Sequence, residues 1–293
     1  MRKKLGSCAV LTAMGLLMVV TSSATPALAQ FTTIAIDDHF DNGDLATGGV
    51  NGGFTQLSNG SGGGSASEAG TLATVVTTGG NDNSGIVSIN SFDAAGQSMG
   101  FRMTFTIDSL SSDPLNNGMF LGLQDDGTSF YRNIDNFGLV FSGNESRTSS
   151  GGGFGLGITD NGSGGFANTF DDADLQLSSL LDGFMAEITA TPDGWAYEIT
   201  GVNDTGGSPT TFANSDTWIN SGEAATFYAD FFDNAEHIGV WTQRGGGGNP
   251  NITTQIDQVG VQFAAVPEPA SIVIWTMIGM GLAGIGFRMR RRK

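Results

Sequence analysis

Residues 99–107 read Met-Gly-Phe-Arg-Met-Thr-Phe-Thr-Ile, and this stretch decides the fold class. Its apolar residues stand at every second position, with glycine, arginine or threonine between them. Because successive side chains of a strand point to opposite faces, this alternation predicts a β-strand with one buried face.

The same alternation returns in residues 184–190 and 195–199, on either side of Thr191-Pro192-Asp193-Gly194. Pro-Asp-Gly between two alternating runs predicts a β-hairpin. Further strands are predicted at Thr32–His39, Leu72–Thr77, Ile86–Ile89, Met119–Leu123, Phe137–Phe141, Phe154–Ile158, Thr226–Phe232, His237–Thr242 and Gln255–Phe263.

Helical signals are sparse, since the single helical window, Asp174–Leu181, is too short to form a layer on a sheet. About a dozen strands without crossover helices favour an all-β, antiparallel β-sandwich. Glycine runs at residues 62–64, 151–153 and 245–248 fall between predicted strands and are interpreted as loops. We therefore expect one domain, residues 30–265, between two terminal signals.

The charge of the chain is concentrated in that domain. Residues 30–266 contain four arginines, no lysine and 28 of the 29 carboxylates, which gives a net charge of 4 − 28 = −24. Nucleic-acid binding is excluded, because it needs clustered lysine and arginine to neutralise phosphates.

The first 29 residues are typical of a secretory signal peptide. Basic residues 2–4 precede the apolar run 11–20, and Ala27 and Ala29 supply the small residues that signal peptidase requires before its cut. The apolar run is about half the ~20 residues of a spanning helix, so the Sec pathway and cleavage after Ala29 are favoured over an anchor. Cys8 leaves with this segment, and the mature chain then has no disulfide or thiolate metal site.

The other terminus has three parts in order. Pro267-Glu268-Pro269 precedes an uncharged stretch, residues 272–287, and the chain ends in a basic cluster: Arg288, Arg290, Arg291, Arg292 and Lys293. This order resembles the PEP-CTERM sorting signal of bacteria. The resemblance implies that residues 266–293 are recognised and processed by an exosortase-type enzyme.

Residues 272–287 predict a short transmembrane helix. Sixteen residues rise ~24 Å, which is short of a ~30 Å hydrocarbon core, so the basic tail at residues 288–293 must snorkel or the bilayer must thin. The positive-inside rule keeps that tail cytoplasmic and the domain outside. We expect a transient inner-membrane anchor that is later removed. A permanent single-span anchor is the alternative.

The domain itself resembles the concanavalin A-like lectin/glucanase (laminin-G-like) jelly roll. The resemblance rests on Asp37–Asp41, the hairpin at residues 183–201, the run 237–241 and the closing strand 256–261. In that family the first and last strands are neighbours. A generic sandwich is the alternative.

Catalytic signatures are missing from the sequence. Glu187 and Glu198 lack the second carboxylate, two residues on, of the glucanase motif, and no Gly-x-Ser-x-Gly occurs. His39 and His237 are the only imidazoles, too few for a typical zinc site, and are interpreted as structural. We predict that the protein is not an enzyme.

Two kinds of binding residue are candidates. Calcium prefers hard oxygen ligands, which aspartate-rich loops supply, although an acidic surface that keeps the protein soluble explains them as well. The loop candidates are Asp37, Asp38 and Asp41; Asp125 and Asp126; and Asp171, Asp172 and Asp174. Trp195, Trp218 and Trp241 are candidates for stacking on sugars, although tryptophans on alternating strands usually lie in the core.

The sequence thus predicts an exported, exosortase-sorted protein of the cell envelope, outer surface or extracellular matrix. Its sandwich is expected to bind carbohydrate or to associate with exopolysaccharide without catalysis. A purely structural role and a secreted, glucanase-like enzyme of the same fold are the alternatives.

Overall fold

The computed structural model describes residues 31–59, 63–78, 83–94, 100–111, 118–128, 135–142, 153–159, 168–172, 181–201, 211–233, 235–244 and 251–264. These residues form sixteen strands and one short helix. In chain order they are β1 Phe31–Asp38, β2 Phe54–Asn59, β3 Gly64–Ala69, β4 Leu72–Thr77, β5 Asn83–Ser88, β6 Phe92–Asp93, β7 Phe101–Leu110, β8 Gly118–Gln124, β9 Asn136–Ser142, β10 Gly153–Thr159, β11 Asn168–Asp172, β12 Phe184–Thr191, β13 Gly194–Gly201, β14 Thr211–Thr217, α1 Phe227–Phe231, β15 Ala235–Gln243 and β16 Ile252–Ala264.

The strands form two eight-stranded sheets that pair antiparallel throughout the described residues. The first sheet has the order β14-β13-β12-β7-β16-β4-β3, with β1 beside β16. The second has the order β11-β10-β9-β8-β15-β5-β2, with β6 beside β15. The predicted all-β antiparallel sandwich is confirmed.

The first and last strands are neighbours, as the jelly-roll resemblance implied. One edge of β16 pairs with β7, while its other edge pairs with β4 from Ile252 to Ile256 and with β1 from Val259 to Ala264. Strands β4 and β1 therefore follow one another along the same edge of a single long strand. Both ends of the domain come together where Phe31 pairs with Ala264.

The core consists of the apolar side chains that the two sheets direct at each other. Strand β7 buries alternate residues from Phe101 to Ile107, as its alternation predicted. The ring of Phe101 meets those of Phe137 and Phe232 edge-on, at centroid distances of 6.2 and 5.0 Å. Such aromatic packing joins the first sheet, the second sheet and the segment that follows α1.

The predicted hairpin is confirmed as β12 and β13. Thr191 pairs with Gly194, so the turn contains only Pro192 and Asp193. The remaining pairs follow outward from this turn in continuous register.

The prediction of a strand at Thr226–Phe232 is wrong, because this segment contains helix α1. Tyr228 and Phe232 are buried, and the amide of Phe232 donates to the carbonyl of Tyr228 at 3.2 Å. Residues four apart lie on one face of a helix, so this aromatic-rich segment can bury a helical face as readily as a strand face. Sequence alternation also missed β2, β3, β6, β11 and β14, whose composition is largely polar.

Several predicted features lie outside the described residues. They are the signal peptide, residues 174–180 of the proposed helix, and the tail from residue 265 onward with its sorting motif and transmembrane helix. Within the described ranges, no helix has both the length and the apolar character needed to cross a bilayer.

Candidate functional site

The first predicted calcium site lies at the end of β1, where two of its three aspartates are hydrogen-bonded within the protein. Buried Asp38 accepts hydrogen bonds from the amides of Phe40 at 2.9 Å and Gly53 at 3.1 Å. Asp37 accepts from the amide of Gln258 at 2.9 Å. Asp41 lies exposed beyond them. Asp38 thus holds the loop to the sheet, and the three side chains do not converge on one point.

The loop after β8 contains the second predicted pair. Asp126 accepts both the amide and the hydroxyl of Thr128, at 2.6 and 2.7 Å, so one of its oxygens closes a local turn. Asp125 instead has a buried Oδ1 with no hydrogen-bond partner among the described residues. Burial, and next the negative charges of Asp135 and Asp126, raise the pKa of Asp125.

A carboxyl group that the sequence did not single out lies near Asp125. Glu236 is the second residue of β15 and is only 3% exposed. Burial first, and then the charges of Asp125, Asp135, Asp233 and Asp93, raise the pKa of Glu236 to about 8. The side chain therefore holds its proton at neutral pH, and the isolated glutamate gave no sequence signal for this.

Of Asp38, Asp125 and Asp126, only Asp125 has a buried carboxylate oxygen without a hydrogen-bond partner in the described part of the chain. The orphaned Oδ1 of Asp125 fits a calcium ligand better than the satisfied oxygens of Asp38 or Asp126 do. Across the ranges that the structure describes, however, no three acidic, histidine or cysteine side chains group closely enough to hold a metal. Calcium binding stays a prediction. Asp171 and Asp172 lie in β11, and Asp174 is outside the described residues.

The three candidate tryptophans are all buried. Trp195 is 4% exposed, and Trp218 and Trp241 are 1% exposed. Their indole N–H groups donate to Ser221, to the carbonyl of Thr191 and to Gln124, at 2.8–2.9 Å. Sugar stacking remains a prediction to which the burial of these rings lends no support.

A solvent-facing depression lies on the outer face of the first sheet. It consists of two adjoining cavities of about 370 and 320 Å³ over β12, β13 and β14, which share Thr189, Ala196 and Ser215. We call this depression the strand groove. It forms because small side chains occupy the outward positions of three neighbouring strands, while larger ones flank them.

Two glutamates line the strand groove opposite one another. Glu187 on β12 pairs in register with Glu198 on β13. Directly opposed residues place their Cβ atoms about 4.5–5.5 Å apart, so the two carboxylates share one local environment. Guanidinium Nη1 of Arg102 lies 3.8 Å from Oε1 of Glu187, which offsets part of their repulsion.

This arrangement of hydroxyl, amide and carboxylate groups can accept and donate hydrogen bonds at a shallow surface. On its own strand, each glutamate lacks the second carboxylate of the glucanase motif, so neither was predicted to be a site residue. The predicted hairpin nevertheless indicated that the two glutamates are opposed, because Glu187 stands four residues before Thr191 and Glu198 stands four residues after Gly194. A two-residue turn makes residues at equal distances from it face each other.

Comparison with known proteins identifies the tail and the fold. Residues 265–292 match the family described as the PEP-CTERM protein-sorting motif, which confirms the predicted sorting signal and marks the protein for export. No curated protein sequence is significantly similar to the chain.

Solved structures with the same architecture are numerous and share little sequence. The legume lectin-like domain from Entamoeba histolytica has a TM-score of 0.50 and 10% identity, over 72% of this chain and 90% of that one. Lectin UEA-II in complex with galactose has a TM-score of 0.51 and 11% identity, over 78% and 99%. A structure from a study of endo-acting O-glycanases of the human gut microbiota has a TM-score of 0.50 and 12% identity, over 80% of this chain and 100% of that one. The domain therefore has the lectin-like, concanavalin A-like jelly-roll fold.

Proposed function

We propose that the mature protein is a non-catalytic component of the cell surface or extracellular matrix, and that its sandwich binds carbohydrate or packs within exopolysaccharide. The sorting motif at residues 265–292 supports processing by an exosortase-type enzyme and placement outside the inner membrane. The lectin names of two structural neighbours support a saccharide as the ligand.

The strand groove is the observation that carries the carbohydrate proposal. Its shared lining residues are short, and two of them, Thr189 and Ser215, carry hydroxyl groups. Hydroxyl, amide and carboxylate groups give directional hydrogen bonds to sugar hydroxyls, and the shallow shape suits an extended polymer that covers several strands.

The negative charge of the domain limits which polysaccharides we expect it to bind. The domain carries a net charge of −24, and the groove adds Glu187, Glu198, Asp193 and Asp216 to its lining. Complementary charge governs both encounter and selection of partners. We therefore expect neutral or amine-bearing polysaccharides to bind in preference to uronate-rich ones.

Binding to immobilised polysaccharides tests this proposal. The exported protein is passed over neutral, amine-bearing and uronate-bearing resins, and Thr189→Trp should abolish retention by filling the groove. Thr106→Trp is the matched control, because Thr106 is a part-exposed threonine of β7 that does not line the groove. Equal retention of both variants would reject the strand groove as the binding site, and no retention on any resin would reject carbohydrate binding.

A glycan-active enzyme is the second candidate, favoured by one observation. Retaining glycosidases place two carboxyl groups about 5 Å apart, a spacing that the opposed Glu187 and Glu198 allow. A general acid usually sits in a desolvated pocket, whereas Glu198 is exposed on an open sheet face. This exposure favours binding over hydrolysis.

Release of reducing ends distinguishes the two candidates. The non-catalytic proposal expects none from any retained polysaccharide, beyond the level of a boiled sample. Sustained release that Glu187→Gln and Glu198→Gln each abolish would establish the enzyme instead.

A further inference from the structure

The sorting tail starts at the very end of a strand that is held firmly by the domain. Ala264, the last residue of β16, is 2% exposed, pairs with Phe31, and donates its amide to the carbonyl of Gly100 at 2.8 Å. Pro267 follows three residues later. A chain extends at most ~3.6 Å per residue, so Pro267 lies within about 11 Å of Ala264.

This short reach constrains the enzyme that reads Pro267–Pro269. An enzyme that holds Pro267 within this distance of Ala264 must bring its own surface close to the end of the sandwich. The end concerned is the one at which β1 begins and β16 ends.

The surface beside that end differs from the rest of the domain. A cavity of about 370 Å³ follows the edge of β1, and its lining includes Ile34, Asn90, Ser91, Phe92 and Phe263. Not one of its lining residues is charged, although the domain carries 28 carboxylates. We call this cavity the terminal groove.

Exposed apolar side chains are concentrated in, and next in sequence to, the segments that line the terminal groove. Among the described residues, five large apolar side chains are exposed, and three of them, Ile34, Val50 and Ile89, belong to the groove or adjoin its lining residues. Their exposed fractions are 41, 47 and 46%. Clustered apolar exposure on a highly charged protein is typical of a contact surface for another protein.

The edge of β1 beside the groove also offers backbone hydrogen bonds. Within the described ranges, its outward edge is met only by the bridge between Asp37 and Val50 and by the side-chain amide of Asn51. That side chain donates from Nδ2 to the carbonyl of Ala35 at 3.0 Å. An open strand edge can accept an added strand or loop from a partner.

From these observations we propose that the terminal groove is the docking surface for the membrane-bound enzyme that processes the tail. The inference rests on the proposed processing by an exosortase-type enzyme. It adds that the enzyme recognises the folded domain as well as the tripeptide. The short distance between Ala264 and Pro267 makes the two contacts simultaneous, so each raises the effective concentration of the other.

The test measures how fast the full-length chain loses its C-terminal tail in native cells. Mass spectrometry of the C-terminal peptide in pulse-labelled samples gives this rate. The variant Ile34→Ser/Ile89→Ser should be processed at least about fivefold more slowly than wild type. The matched control is Met185→Ser/Ile219→Ser, which alters the two exposed apolar side chains outside the groove and should be processed at the wild-type rate.

A second pair of variants distinguishes a loss of docking from a folding defect. Ser91→Asp places a charge on an exposed lining residue of the groove, and Ser67→Asp places the same charge on the exposed face of β3. Docking predicts slower processing for Ser91→Asp alone. Protease resistance of the exported domain should be the same for both.

A spacer separates docking from recognition of the tripeptide. Twelve Gly/Ser residues inserted after Ala264 should slow processing, and in that background Ile34→Ser/Ile89→Ser should cause a smaller further slowing than in the wild-type tail. Wild-type rates for both groove variants would overturn the docking inference while leaving the proposed function intact. A wild-type protein that retains Arg290–Lys293 at the surface would instead overturn the processing on which the inference rests.

Discussion

The outer faces of the two sheets differ, although each sheet has eight antiparallel strands. On the first sheet, β12 alternates buried residues with part-exposed or exposed ones, and its outer face carries the strand groove. On the second sheet, β5 and β8 are buried at every position. The outward side chains of Phe120, Val140 and Trp241 form a second apolar cluster there, separate from the core.

Glycines explain how the second sheet packs on both faces. Gly122 pairs in register with Gly138 on one side and with Gly239 on the other, in a row across β9, β8 and β15. A Cβ atom added at Gly122 or Gly138 would lie 2.6 Å from the Cα atom of the other. The first sheet thus presents polar groups to solvent, whereas β5 and β8 of the second sheet are buried on both faces.

Removing a large outward side chain from each sheet should give the largest contrast. Trp241→Ala is expected to lower the free energy of unfolding by about 3–5 kcal/mol, because it empties a fully packed site. Met185→Ala on the first sheet, where the side chain is 40% exposed, should cost less than about 1 kcal/mol. Urea denaturation measures both. A similar small loss for the two would show that the outer face of the second sheet is not closely packed.

The pH dependence of stability should depend mainly on Glu236. Its pKa of about 8 in the folded protein exceeds the ordinary value of 4.5, so between these pH values the unfolded chain releases a proton that the folded chain keeps. Stability should therefore fall as pH rises through this window, by about 1.4 kcal/mol for each pH unit.

Two substitutions test whether Glu236 causes this pH dependence. Glu236→Gln should flatten the pH profile of unfolding free energy, whereas Glu187→Gln, on the part-exposed face of the first sheet, should leave its slope nearly unchanged. Parallel profiles for wild type and Glu236→Gln would show that another group is responsible.

The smallest expected contrast compares one glycine from each sheet. Gly138→Ala should destabilise the protein by about 2 kcal/mol, since the new methyl group meets backbone that cannot move independently. Gly260→Ala should change stability by less than about 1 kcal/mol, because a Cβ there first meets the carbonyl of Ile36 at 3.4 Å. Thermal unfolding of the two variants measures the difference, and equal melting temperatures would contradict the close approach of β8 and β9.

Short-range patterns in the sequence were enough to predict much of the fold and the sorting motif. The alternation at residues 99–107 predicted β7, and the turn at Pro192-Asp193 predicted a hairpin whose register places Glu187 opposite Glu198. The order of parts in the tail predicted the sorting motif. Each of these features depends on residues close in sequence, so the period of side chains and the chemistry of turns are sufficient to predict them.

Only the tertiary structure decided the rest. Whether Phe227–Phe231 forms a helix or a strand depended on the packing of Tyr228 against Phe101 and of the following Phe232 against Phe137. The burial of Trp241 depended on neighbouring strands. The raised pKa of Glu236 depends first on its burial and then on the charges of Asp125, Asp135, Asp233 and Asp93. Burial and electrostatic fields come from atoms that are distant in sequence. The residue pattern of one strand shows which of its faces is polar, but it does not show which residues of other strands pack against that face.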